Sequence, residues 1–140
     1  MNIYSAISLG IKKLKENLIT NPSLDSEILM AKVIKKDRKY LLLNPKKKIT
    51  VKDINDFKIL IKKRSVGKPI AYLTNKKFFW KSEFIVSNDT LIPRPDTELV
   101  VENILKLTKN KKKLKVLEIG IGSGCILLSI LKDKDNFYGT

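Results

Sequence analysis

The residue types that could do chemistry are densest in Lys115-Val116-Leu117-Glu118-Ile119-Gly120-Ile121-Gly122-Ser123-Gly124-Cys125-Ile126-Leu127-Leu128-Ser129-Ile130. An apolar run carrying one acid, glycine at every second position and then renewed apolar periodicity predict a buried strand over residues 116–119, a tight turn and a helix. Glycine suits such a turn because the backbone must bend sharply, in part with φ > 0, and must leave no side chain between itself and a ligand. The candidate binding residues are therefore Gly120, Ile121, Gly122, Ser123 and Gly124, with Glu118 as the acid two residues ahead of the first glycine. A dinucleotide fingerprint, G-x-G-x-x-G/A, would require Gly or Ala at position 125, where Cys125 stands. The chain has no histidine and a single cysteine, which excludes a His-based triad and a Cys/His zinc site, so neither a catalytic nor a metal-ligating set is assigned within these residues.

A second constrained stretch is Leu91-Ile92-Pro93-Arg94-Pro95-Asp96-Thr97-Glu98. Two prolines around an arginine fix an extended segment, and Asp96, Thr97 and Glu98 then open an amphipathic helix through Leu99, Val100, Ile104 and Leu107. Arg94 either faces a ligand or pairs with Asp96 or Glu98. Both readings fit the pattern.

The elements that must position these segments are read from periodicity. Ile3, Ile7, Ile11, Leu14 and Leu18 fall on one stripe of a first helix ending near Asn17. Asn21 as cap and Pro22 in the first turn open a second, to about residue 35, with Asp25 and Glu27 near its start and Leu24, Ile28 and Leu29 facing inward. A short helix over residues 38–43 stops before Pro45. Thr50 with Asp53 is a capping box for a fourth helix to about Ser65, closed by Gly67 and Pro69. Four helices and no strand give a small bundle. From Lys76 onward, Phe78, Phe79 and Trp80, then Phe84, Ile85 and Val86, predict a β-hairpin around residues 81–83, with Trp80 serving hairpin packing or, alternatively, a cofactor shelf.

The chain of 140 residues can bury a real core, but its glycine turn leaves too little sequence after it for a complete doubly wound sheet, so it reads as the N-terminal part of a longer protein. Its formal charge is +15, from 29 basic and 14 acidic residues. Only Arg38, Arg64 and Arg94 are arginines, and the lysines are spread in short groups such as 46–48 and 111–113. That dispersal favours a solvated, lysine-biased surface over a dedicated nucleic-acid site. No stretch approaches the roughly 18 apolar residues of a membrane span, and the N-terminus lacks signal-peptide features, so a cytoplasmic protein without a membrane partner is expected.

The E-x-G-x-G-x-G pattern resembles the first motif of S-adenosylmethionine-dependent methyltransferases, although a glycine-rich turn of another α/β protein would share it. Together with RSVGKPIAYLTNKKFFW and SNDTLIPRPDTELVVENIL, in this order and spacing, VLEIGIGSGCILLSI resembles the protein-(glutamine-N5) methyltransferases of peptide chain release factors. The resemblance covers essentially the whole chain. It implies an α/β protein: an all-α N-terminal bundle over residues 1–74 that helps bind the release factor, a β-hairpin linker over 75–90, and over 91–140 the truncated start of a Rossmann-like methyltransferase domain. It implies methyl transfer from S-adenosylmethionine to the side-chain amide nitrogen of the glutamine in a Gly-Gly-Gln motif, with release factors as partners, no specific nucleic acid and a monomeric state. Residues 120–124 and Glu118 map to the cofactor loop, and Arg94, Pro95 and Thr97 match the family's loop near the cofactor. The family commonly has glycine where Asn75 stands; asparagine tolerates φ > 0, so that turn can survive. The family's Asn-Pro-Pro-Tyr motif, which orients the target amide, is absent, so the chain is expected to be inactive alone. The other readings kept open are an amino-methyltransferase acting on RNA or a ribosomal protein, and a non-enzymatic module binding release factors.

Overall fold

In the computed structural model, which describes residues 1–140, contacts cluster in two units, Met1–Thr74 and Asn75–Thr140. In the first, α1 (Ile3–Glu16) begins where Asn2 Oδ1 accepts the Ser5 N–H at 2.8 Å. The segment ahead of the fourth helix also serves this start. Ile3 N–H donates to Lys47 O and Tyr4 N–H to Pro45 O, each at 3.0 Å, satisfying amides that a first helical turn leaves without partners. The buried face is Ile3, Ala6, Gly10 and Leu14. Ile7 and Ile11 are half-buried at its edge, and Leu18, beyond the helix with φ +55°, is 92% exposed. Gly10 accounts for the rotation from the expected stripe, since a Cβ there would lie 2.8 Å from Phe57 Cζ.

α2 (Pro22–Ile34) carries proline in its first turn, but Asn21 makes no side-chain cap bond, and of the two acids only Asp25 lies in that turn. Asp25, Ser26, Leu29 and Met30 are buried and Leu24 is exposed, a rotation set by a polar contact: Asp25 Oδ2 accepts Arg64 Nε at 2.7 Å. α3 (Arg38–Leu43) is capped by Asp37, whose Oδ1 accepts the Tyr40 N–H at 2.7 Å. α4 (Val51–Ser65) has the expected capping box, with the Asp53 N–H on Thr50 Oγ1 and the Thr50 N–H on Asp53 Oδ2, both at 3.1 Å. A fifth helix, α5 (Ile70–Thr74), was not expected; five residues are too few to show a period, yet Ala71 and Leu73 are buried.

In the second unit, β1 (Lys76–Phe79) pairs antiparallel with β2 (Ser82–Ile85), with Phe79 opposite Ser82. The turn is thus Trp80-Lys81, one residue shorter than the loop expected over 81–83 and starting one position earlier. Asn75 has φ +60°, the conformation its side chain was expected to tolerate. Phe79 and Phe84 meet edge to face, ring centroids 6.1 Å apart, and share a core with Val101, Cys125, Ile130 and Phe137.

Residues Pro95–Thr97 form a 3₁₀ turn leading into α6 (Glu98–Leu107), which buries Val101 and leaves Leu99, Val100 and Leu107 exposed. The expected apolar face of this helix is therefore corrected by about one residue. β3 (Leu114–Val116) runs parallel to β4 (Phe137–Gly139), with α7 (Cys125–Asp133) as the crossover. The strand expected over residues 116–119 is shorter and not buried: Leu117 is 69% and Ile119 89% exposed. β4 is the one strand paired with β3, so the pair covers one edge of it where a buried parallel strand has two. The architecture is a mostly helical unit followed by a unit with two small two-stranded sheets; one β-α-β crossover is less than a Rossmann-like sheet.

Candidate functional site

The glycine turn joins β3 to α7. Gly120, Gly122 and Gly124 have φ of +77°, +55° and +74°, a region that costs an L-residue about 1–2 kcal/mol. The Gly124 N–H closes the turn on Ile121 O at 2.7 Å, and the Leu128 N–H bonds to Gly124 O at 3.0 Å as α7 begins. The three glycines differ in what surrounds them. A Cβ on Gly120 would meet nothing within 4 Å and one on Gly122 only the loop's own Gly120 O at 3.9 Å, whereas one on Gly124 would stand 3.1 Å from Leu128 Cδ1. Gly124 is required by the helix beneath it; Gly120 and Gly122 present bare backbone on an open face.

Glu118 acts on the turn from below. Its Oε2 accepts the Leu127 N–H at 3.0 Å, while Gly124, at the N-cap of α7, offers no side chain. The carboxylate is thus the side-chain cap of α7, a charge-assisted bond at the positive end of the helix dipole. It ties the end of β3 to the first turn of α7 and fixes the span of the loop. Ile121 and Gly122 are exposed and Ser123 is half-buried.

Around Arg94, Pro93 is buried, Arg94 and Pro95 are exposed, and the Thr97 N–H closes on Arg94 O at 3.1 Å. Arg94 forms no ion pair with Asp96 or Glu98. Glu98 is engaged elsewhere, its Oε1 accepting the Trp80 N–H at 2.8 Å. No hydrogen bond or ion pair joins Arg94, Pro95 or Thr97 to residues 118–124.

Trp80 packs beside the Phe79–Phe84 core, as hairpin packing predicts, but from the turn and not from a strand. It occupies the first turn position with φ +54°, a place where hairpins usually put glycine. Its indole Nε1 donates to Asp133 Oδ2 at 2.8 Å, and Lys81 Nζ reaches the same carboxylate at 2.8 and 2.9 Å. These bonds hold the Asp133 carboxyl below the ordinary carboxylate range. The hairpin turn is thereby tied to both α6 and α7.

Two contributors to the site were not found from sequence. Gly139 on β4 lies under α7, where an added Cβ would come 2.6 Å from Leu127 Cδ1 and 2.8 Å from Leu131 Cδ1; a glycine inside a strand is the signal for such an approach. The Leu127 N–H that receives Glu118 is a backbone group and leaves no mark in the residue pattern.

Against known proteins, the family model of the PrmC N-terminal domain matches residues 5–74. The release factor glutamine methyltransferase of Buchnera aphidicola subsp. Baizongia pistaciae is 40% identical over 134 residues, which cover 96% of this chain and 48% of that protein. That of Coxiella burnetii is 35% identical over 135 residues, covering 94% of this chain and 49% of the relative. A bifunctional methyltransferase of Rickettsia bellii is 32% identical over 161 residues, 96% of this chain and 29% of its own length. The chain spans about half the length of the release factor glutamine methyltransferases it matches.

Proposed function

The chain belongs to the PrmC N-terminal domain family, and from that premise we propose that it is the N-terminal portion of an S-adenosylmethionine-dependent methyltransferase that modifies the glutamine side-chain amide in the Gly-Gly-Gln motif of peptide chain release factors. The observation that carries this is the glycine turn: three glycines at every second position with positive φ, two of them facing open space, with Glu118 capping the helix behind them.

In this reading the backbone of residues 120–124 holds the amino-acid end of the cofactor, which supplies an electrophilic methyl group when bound. Gly120 and Gly122 let it approach, and Glu118 keeps the loop at fixed span. Arg94, Pro95 and Thr97 bound the approach from the second loop. Residues 1–74 serve release-factor binding, and the protein works in the cytoplasm as a monomer. Orienting the target amide nitrogen toward that methyl group would fall to groups other than those of these 140 residues, which hold no Asn-Pro-Pro-Tyr motif.

Calorimetric titration with S-adenosylmethionine and a labelled-methyl transfer assay on a release factor test this, on the 140-residue chain and on a chain extended through an Asn-Pro-Pro-Tyr segment. The extended chain is expected to bind and transfer, and the short one to do neither at measurable rate. An extended chain that binds the cofactor but methylates RNA or a ribosomal protein in preference to the release factor would overturn the substrate assignment.

A further inference from the structure

The helical unit has a binding role in the reading above without a named surface, and one face of it is grooved. α1 contributes Ala6, Leu9, Gly10 and Lys13 to it and α4 contributes Ile54, Phe57, Lys58, Ile61 and Lys62, enclosing with Met1 an open groove of about 290 Å³. Each helix supplies residues at steps of three and four, so two parallel stripes about two turns long flank the groove. The two helices run alongside in the same sense: Met1 O accepts from Ile49 N–H just ahead of α4, and Gly10 lies on Phe57 and Ile61. Lys13, Lys58 and Lys62 are exposed and gather toward the C-terminal half of the groove. The lining contains three lysines and no acid. Leu9 and Met1, 53% and 50% exposed, are the apolar residues left open to solvent at its mouth.

We propose that this groove is a docking site for an acidic amphipathic helix of a partner protein. An apolar trough flanked by two helical stripes accepts a third helix through side chains at i, i+3, i+4 and i+7, and a rim with positive charge alone selects carboxylates beside those anchors. Gly10 shapes the floor, because its missing Cβ brings Phe57 against α1 and opens the space above. The inference rests on the groove and does not depend on the methyltransferase reading.

The test uses the 140-residue chain and a fluorescein-labelled 16-residue helical peptide with leucine at the anchor positions and glutamate on the flanks, titrated by anisotropy, beside a lysine-flanked and a scrambled version. The glutamate peptide is expected to bind saturably and at least tenfold tighter than either comparator. Leu9→Glu should weaken it at least tenfold, Lys58→Glu/Lys62→Glu should reverse the preference toward the lysine peptide, and Lys35→Glu/Lys39→Glu, exposed on the same unit and outside the groove lining, should change it less than twofold. Leu9 and the three lysines are exposed, and circular dichroism confirms that each variant folds. Equal binding of scrambled and ordered peptides, or indifference to Leu9→Glu, would overturn the proposal. So would a concentration-dependent dimer in sedimentation, or binding to phosphatidylglycerol vesicles, that Leu9→Glu abolishes while the peptide fails to bind, because the occupant would then be a second copy or a lipid surface.

Discussion

If Glu118 holds the glycine turn by capping α7, removing its carboxylate should loosen one defined amide. Glu118→Ala deletes the acceptor of the Leu127 N–H, and Glu118→Gln keeps an acceptor while removing the charge. A hydrogen bond to a charged group contributes roughly 1.5–3 kcal/mol, and the charge at a helix N-terminus accounts for about 0.3–1 kcal/mol of that, more where partly buried. Glu118 is half-buried, so the alanine variant should lose about 1.5–3 kcal/mol and the glutamine variant about 0.5–1 kcal/mol. At roughly 1.4 kcal/mol per factor of ten, hydrogen exchange at the Leu127 amide should speed up about ten- to one-hundred-fold in Glu118→Ala and only a few-fold in Glu118→Gln. The Leu128 amide, bonded to Gly124 O, serves as the internal reference for local unfolding of the turn. Unchanged protection at Leu127 in the alanine variant, or equal effects of both variants, would refute the capping role and return Glu118 to direct ligand contact.

Three further outcomes follow from contacts elsewhere. Asp133 sits below its ordinary pKa through the Lys81 and Trp80 bonds, so its carboxylate stabilises the fold above about pH 4 and that contribution disappears as pH falls through the lowered value; acid unfolding of Asp133→Asn should show a shallower pH dependence between pH 5 and about 2. Gly139→Ala should destabilise by about 1–3 kcal/mol in urea unfolding, because the new methyl overlaps Leu127 and Leu131; a stabilised variant would show that these side chains move aside freely. Arg64→Met strands Asp25, whose side chain is 8% exposed, and should cost about 3–5 kcal/mol, whereas Asp25→Leu with Arg64→Met should recover most of it by the same measurement.

The sequence was read most accurately where local physics decides. The Thr50–Asp53 capping box and the restart at Pro22 depend on residues a turn apart, and the structure places both helices there. The positive φ of the three loop glycines is similarly a local demand. What escaped was tertiary. The faces of α1 and α2 rotated because a glycine seam and a buried aspartate carry no hydrophobic signal, and the periodic count registers neither. Trp80 escaped for a related reason: its turn conformation is imposed by Glu98 and Asp133, far along the chain, against its own preference. At the candidate site the glycines and Glu118 were legible as types at a spacing, but Glu118's partner is a main-chain amide and Gly139's is the underside of α7.

The Trp80 turn also sets an order of events during synthesis. Its indole is bonded 53 residues downstream, at Asp133, and its amide 18 downstream, at Glu98. A backbone conformation that costs on the order of 1–3 kcal/mol is compensated only by the Glu98 bond until α7 exists. At about 5–20 residues per second, the ribosome reaches Asp133 roughly 3–11 s after Trp80. The helical unit, whose buried Asp25–Arg64 pair closes within Met1–Thr74, can be complete throughout that interval. The nascent chain therefore carries a finished N-terminal unit tethered to an open hairpin, and the hairpin is the segment on which a chaperone or a protease would act.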